Sequence, residues 1–379
     1  MQSEYITKSP YTYLYRLVAL IRASIAPITN LHKVYTPLSI RRGVGGEAVL
    51  LLFLLTSCVN EEQLPDTPKG NLDALWTIID EHYCFLDYKE QSLAIDWDEI
   101  YTRYLARLTT NMGNAQLFEV LTEMLGELQD GHVNLYASHD IGRYWSWYED
   151  YPLNFDQEIQ DAYLGKDYKI ASSLKYRILP DNIGYIVCSS FESNLGNGNL
   201  DEVMGALRLC NGLIIDVRNN TGGALTNAER LAQRFTNERR LVGYMCHKTG
   251  PGHNDFSSPD PQYLEPSTGI RWQKQAVVLT NRKCYSATNT FVRDVRECPL
   301  VTIMGDQTGG GSGMPFSSEL PNGWSVRFSA CPMFDARMQQ IEFGIQPDTV
   351  VTLSPTDQTR GIDTMIEAAR QWLKLKYCP

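Results

Sequence analysis

The sequence predicts an α/β core preceded by a helical bundle, and three observations carry that expectation. Between Asn71 and about Asp130, apolar residues recur with helical spacing. After that point the texture changes to short, continuous apolar runs bounded by Gly, Asn and Pro, the mark of buried strands. Amphipathic segments separate those runs, and strands alternating with helices over this length suggest parallel pairing.

The helical part has three apolar faces. Leu72, Leu75, Trp76 and Ile79 form the first, Ile100, Tyr101, Tyr104, Leu105 and Leu108 the second. Leu117, Val120, Leu121, Met124, Leu125 and Leu128 form the third, and "QDGHVNLY" then reads as a helix end at Gly131 running into strand-like alternation. Residues 141–182 carry an aromatic cluster, "RYWSWYEDYPLNF", without a clear period. Beyond them "IGYIVCSSF", "NGLIIDVRNN", "AVVLT" and "LVTIM" read as buried strands, and "TNAERLAQRF" and "SATNTFVRDV" as helices. The intervening "HKTGPGHNDFSSPDPQYLEPSTG" is long and rich in Pro, Gly and Ser, a composition suited to a lid or binding loop.

The chain has 379 residues, 43% of them apolar, which is enough for a sizeable core. A net charge of −10 with no basic run excludes sequence-independent nucleic-acid binding, which needs clustered Lys and Arg. Ala48 to Leu55 is too short to span a bilayer but suits the h-region of a signal peptide, with Arg41 and Arg42 as its positive flank. "LTSC" resembles the lipobox of bacterial lipoproteins, which implies lipidation of Cys58 and an exported protein anchored to the cell envelope. The expected organisation is a leader over 1–57, a tether over 58–70, a helical domain over 71–130 and an α/β core over 131–379. The nine cysteines, Cys58 among them, include no C-x-x-C pair, so neither zinc nor dithiol redox chemistry has its usual spacing. No metal and no organic cofactor are expected.

In open α/β sheets, ligands bind beyond the carboxyl ends of strands, and two strand ends stand out. After "LIIDVRNN", the N–H groups of Gly222 and Gly223 could face an anion. After "AVVLT", Ser286 sits at the start of a helix, where it could cap that helix or act as a nucleophile. The helix N-terminus favours developing negative charge, and Ala287 offers a further N–H donor. No lysine lies between Lys283 and Lys374, so the base is a histidine if there is one. Among the six histidines, His132 is placed at a helix-to-strand junction, behind Asp130 and Gly131. For the third group, which fixes a histidine base, both Glu342 in "QQIEFGIQPDTVV" and Asp130 are candidates.

These segments together resemble the tail-specific, or C-terminal processing, serine peptidases, particularly their tricorn-like branch. "LWTIIDEHYCFLDYK", "ELQDGHVNLY", "GLIIDVRNNTGG", "VVLTNRKCYSATNTF", "GDQTGGGSG" and "IEFGIQPDTVV" carry the resemblance, in order, from Asn71 to the C-terminus. It implies a crotonase/ClpP-like ββα core and a serine endopeptidase acting on peptides or proteins. Ser286 is then the nucleophile, His132 the base and Glu342 its partner, with Gly222, Gly223 and Ala287 as the oxyanion hole. Two departures are visible. Gly131 stands where tricorn protease has a serine linking histidine to glutamate, so Glu342 must reach His132 directly or through Asp130 or water. Residues 135–182 are also too few for the PDZ domain that many relatives carry. The resemblance leaves room for a catalytically inactive peptide- or lipid-binding module on the same fold, and for acyl-CoA chemistry on the related crotonase-like fold.

Overall fold

The structure, a computed structural model, describes residues 64–377. The leader and Cys58 lie outside the described residues. The first helix, α1 (Pro68–His82), starts within the expected tether: Thr67 caps it by accepting the Gly70 N–H at 3.0 Å, and Pro68 takes a first-turn position where its missing N–H costs nothing. Then come α2 (Leu86–Leu93), α3 (Trp97–Leu105), capped by Asp96, and α4 (Asn114–Gly126). Helix α4 stops earlier than the sequence suggests. Leu128 and Gln129 close tight turns on Leu125 and Gly126, and Gln129, not Gly131, takes the left-handed conformation with φ 46°.

The expected strand after that turn is β1 (Asn134–Tyr136), and the segment without a clear period holds β2 (Ile141–Arg143), α5 (Gln157–Leu164), β3 (Lys169–Ala171) and β4 (Leu174–Ile178). The expected alternation follows as β5 (Ile183–Cys188), α6 (Asn197–Leu207), β6 (Gly212–Asp216) and α7 (Leu225–Ala232), then β7 (Arg240–Met245) and β8 (Asp260–Leu264). The remainder is β9 (Ala276–Thr280), α8 (Ala287–Arg296), β10 (Val301–Gly305), β11 (Pro315–Glu319), β12 (Ser325–Ser329), β13 (Met333–Asp335), β14 (Thr349–Val350), α9 (Pro355–Thr359) and α10 (Thr364–Tyr377).

Seven strands form the central sheet in the order β14-β10-β9-β6-β5-β4-β3. Its β14-to-β5 half is parallel and its β4–β3 edge antiparallel. Every residue of β5, β6 and β9 is buried, because helices cover both faces. Ile186, Ile215 and Val278 point to one face, against α6, α7 and α8. Tyr185, Val187, Ile214 and Leu279 point to the other, against Met365, Ile366, Ala369 and Leu373 of α10. A four-stranded antiparallel sheet, β11-β12-β1-β2, shares its core with helices α1 to α4 through Leu135, Val326 and Phe328. The long Pro/Gly-rich segment supplies β8 and is pinned to the helices by His253, whose ring nitrogens meet Asp87 at 2.6 Å and Asp80 at 2.7 Å.

Since β6 and β9 are parallel neighbours, the turns that follow them emerge side by side. A buried network steadies the first: Arg218 pairs with Asp216 at 2.7 Å and with Asp363 at 2.9 Å, all three being inaccessible to solvent. Removing the guanidinium strands two carboxylates in the core. Arg218→Met is therefore expected to lose about 3–5 kcal/mol of stability, read from urea unfolding. Loss of less than about 1 kcal/mol would mean that the turn does not lean on this pair.

Candidate active site

Ser286 occupies the N-cap position of α8, yet its hydroxyl makes no capping bond. Instead Ser286 Oγ lies 2.9 Å from His132 Nε2. The serine backbone has φ 57° and ψ −120°, a strained conformation that costs a non-glycine residue on the order of 1–3 kcal/mol. Two bonds hold it there. The Tyr285 N–H donates to the Asn220 carbonyl at 3.1 Å and the Ser286 N–H to the Gly310 carbonyl at 2.9 Å. The result is a sharp strand-to-helix elbow built without a G-x-S-x-G motif, which is why the local sequence does not announce it.

Of the three expected oxyanion donors, two are free and one is committed. The Gly222 N–H donates to Asn220 Oδ1 at 2.9 Å. Among the described residues, no acceptor takes the Gly223 or Ala287 N–H. What Gly222 contributes is room: a Cβ there would lie 2.9 Å from the Ser286 Cβ and 3.0 Å from the Ala287 nitrogen.

His132 sits in the turn between α4 and β1, 7% exposed, and its backbone N–H donates to Asp130 Oδ1 at 2.7 Å. Asp130 also accepts from Tyr83 at 2.8 Å and, more weakly, from Tyr285 and Ser329 at 3.4 Å. It grips the turn rather than the ring. Burial lowers the imidazole below its ordinary value, while the Asp130 charge and the Ser312 backbone carbonyl act in the opposite direction. His132 Nδ1 has no hydrogen-bond partner among the described residues.

Glu342, 3% exposed, is close by but does not bond to the imidazole directly. Its Oε2 accepts the Ser312 N–H at 2.8 Å and the Ser312 hydroxyl at 3.3 Å, and its Oε1 pairs with Lys89 Nζ at 3.2 Å. Burial, with the Asp130 charge second, raises its carboxyl to about 8, against the pull of Lys89. Direct contact between Glu342 and His132 was one expectation from the sequence; the structure puts Ser312 on the carboxylate instead. A serine at 131 has no room to act as a link. A Cβ there would lie 2.9 Å from both Trp147 Nε1 and the Tyr285 hydroxyl, whose rings stack 4.3 Å apart.

Sequence reasoning missed Lys89 and Ser312. Neither had a readable signal, since a lysine in "FLDYKEQSL" looks like any solvated helix lysine and Ser312 lies in a glycine-rich loop. The group of described residues spaced to share a cation, Asp87, Glu90 and His253, contains none of the predicted site residues, and both His253 nitrogens already face carboxylates.

Residues 182–351 match the model of peptidase family S41, and residues 65–126 match the tricorn protease C1 domain. The crystal structure of a Parabacteroides merdae ATCC 43184 protein, assigned as a peptidase, is 53% identical. It superposes with a TM-score of 0.77 over 81% of this chain and 97% of that one. Mature CPAF complexed with lactacystin shares the fold at 12% identity, with a TM-score of 0.61 over 81% of this chain and 98% of its own. The photosystem II D1 C-terminal processing protease does so at 15% identity, with a TM-score of 0.50 over 80% and 98%. No curated protein matches the chain. With a serine hydroxyl bonded to a buried histidine at the head of a helix, these likenesses define a serine-type peptidase. The chain belongs to peptidase family S41, among its tail-specific and tricorn-like members.

Two glycine substitutions check the packing argument. Gly222→Ala forces a methyl against Ser286, and Gly131→Ser one against the Trp147–Tyr285 stack. Each is expected to lower peptidase activity about a hundredfold, the scale of an ångström's misplacement of reacting groups. Unchanged activity in Gly131→Ser would show that the stack yields without disturbing His132.

Proposed function

We propose that the protein is an endopeptidase acting through an acyl-enzyme on peptide or protein substrates. Ser286 attacks the scissile carbonyl while His132 takes its proton and later returns it to the leaving amine. The N–H groups of Gly223 and Ala287 hold the oxyanion, aided by the N-terminal end of α8. Glu342 and Asp130 supply the negative charge that stabilises the imidazolium, Glu342 from behind Ser312 and Asp130 through the turn. The observation that carries this reading is the 2.9 Å contact between His132 Nε2 and Ser286 Oγ beside two unpaired N–H groups.

A fluorophosphonate probe is expected to label the full chain at Ser286, with Ser286→Ala unlabelled. His132→Ala should react at least about a thousandfold more slowly. Labelling of Ser286→Ala at the wild-type rate would overturn the nucleophile. The base must be neutral to act, and burial holds His132 below the ordinary imidazole value of 6.5. The acid limb of the labelling rate is therefore expected below pH 6.5. Asp130→Asn removes a charge that raises the imidazole value, so its acid limb should move to still lower pH while the plateau rate falls.

The second part of the proposal concerns location. Cys58 is the lipidated residue, and the peptidase is exported and tethered to the envelope. Support comes from the Arg41/Arg42 flank, the Ala48–Leu55 apolar run and the small residues before Cys58. Among the described residues, no helix is long and apolar enough to cross a membrane. Cys58→Ala is expected to shift the protein from the membrane fraction to the soluble fraction and to abolish its labelling with a clickable palmitate analogue.

A further inference from the structure

Lys89 is 1% exposed, an unusual place for an ammonium group. Its Nζ lies 3.2 Å from Glu342 Oε1 and donates to the Gln129 carbonyl at 3.1 Å, and it rests over the Phe343 ring, 4.3 Å from the centroid. Gln129 lies in the turn that leads into His132, and Phe343 follows Glu342. Every one of these contacts is thus to an element that holds the base or its supporting acid. A lysine used only for packing would be replaceable by leucine or methionine, without the cost of burying a charge.

We propose that Lys89, carried in from the helical segment by α2, is a positioning residue of the peptidase site: it holds the Glu342 carboxylate against Ser312 and favours its charged form. The inference rests on the proposed role of Glu342. The carboxylate is held at both oxygens, by Lys89 at one and Ser312 at the other, so it cannot rotate. Lys89 is also the cation that offsets the two carboxylates of the pocket. Asp130 and Lys89 are the charged groups acting on Glu342, and Tyr83, Cys84, Tyr88 and Tyr285 are the titratable groups that feel it. All four of the latter are raised, burial being the main cause in each, and so stay neutral near pH 7. Without Lys89, only the Ser312 bonds oppose burial and Asp130, and the balance shifts further toward a protonated Glu342 with no charge behind the imidazole.

The test compares fluorophosphonate labelling rates against pH for wild type, Lys89→Met, Lys89→Arg, Glu342→Gln and the double variant Lys89→Met/Glu342→Gln. Above the His132 limb, wild type is expected to show a second gain in rate as pH rises through about 8, where Glu342 ionises. In Lys89→Met that limb should move to higher pH, and the rate at pH 7 should fall roughly 10- to 100-fold. Lys89→Arg should recover part of the rate and return the limb toward its wild-type position. The double variant leaves neither member of the Lys89–Glu342 pair as an unpaired charge, so it should fold even where Lys89→Met does not, and it should react at the same rate as Glu342→Gln alone. A double variant at least tenfold slower than Glu342→Gln would mean that Lys89 acts apart from the acid, and would overturn the proposal. So would a Lys89→Met enzyme with wild-type rate and an unmoved limb beside a slow Glu342→Gln, while leaving the role of Glu342 intact. A Glu342→Gln enzyme as fast as wild type would remove that role and the proposal with it. The nucleophile is judged separately, by Ser286→Ala.

Discussion

The hydrogen bond between Ser286 and His132 joins residues 154 positions apart in sequence, and most of the architecture around it serves to keep its two ends in register. One end is the elbow after β9, whose positive φ is unfavourable for a serine and persists because bonds to Asn220 and Gly310 over-determine it. Those bonds exist because β9 lies between two parallel neighbours: β6 delivers the Asn220–Gly222 turn against the elbow, and the loop after β10 delivers Gly310. The other end is the turn after α4, where Asp130 is held by Tyr83, Tyr285 and Ser329 and in turn fixes the His132 backbone. A shift in either turn breaks the contact.

Electrostatics impose a second constraint. The imidazole is buried, so it is held neutral and ready to accept a proton, but burial also makes the imidazolium costly once formed. The Asp130 charge acts against that cost, while Arg327 and Lys89 add to it. Lys89 is the buried cation in contact with Glu342.

The helical segment is therefore more than an appendage to the α/β core. Its α1 to α4 share a hydrophobic cluster with β1 and β12. Tyr83 and Lys89, both contributed by this segment, reach Asp130 and Glu342. His253 ties the Pro/Gly-rich segment back to Asp80 of α1 and Asp87 of α2, the helix that carries Lys89.

How much of this the sequence alone determined follows from the range of the forces involved. The apolar runs of β5, β6, β9 and β10 and the helices between them were legible, because burial on both faces of a parallel sheet leaves continuous apolar stretches. Ser286, His132 and the glycines at 222 and 223 were recognisable because strand ends and helix starts carry local signals. The short strands and helix over 141–182 were not legible, since their burial depends on partners far along the chain. Tertiary structure alone decided that Ser286 is strained, that Gly222 supplies space while Gly223 and Ala287 supply unpaired N–H groups, and that Glu342 meets Lys89 and Ser312. Nothing local distinguishes Lys89 from a solvated lysine. Whether a charge is buried, and beside what, is set by packing between distant segments, and no pattern within one segment records it.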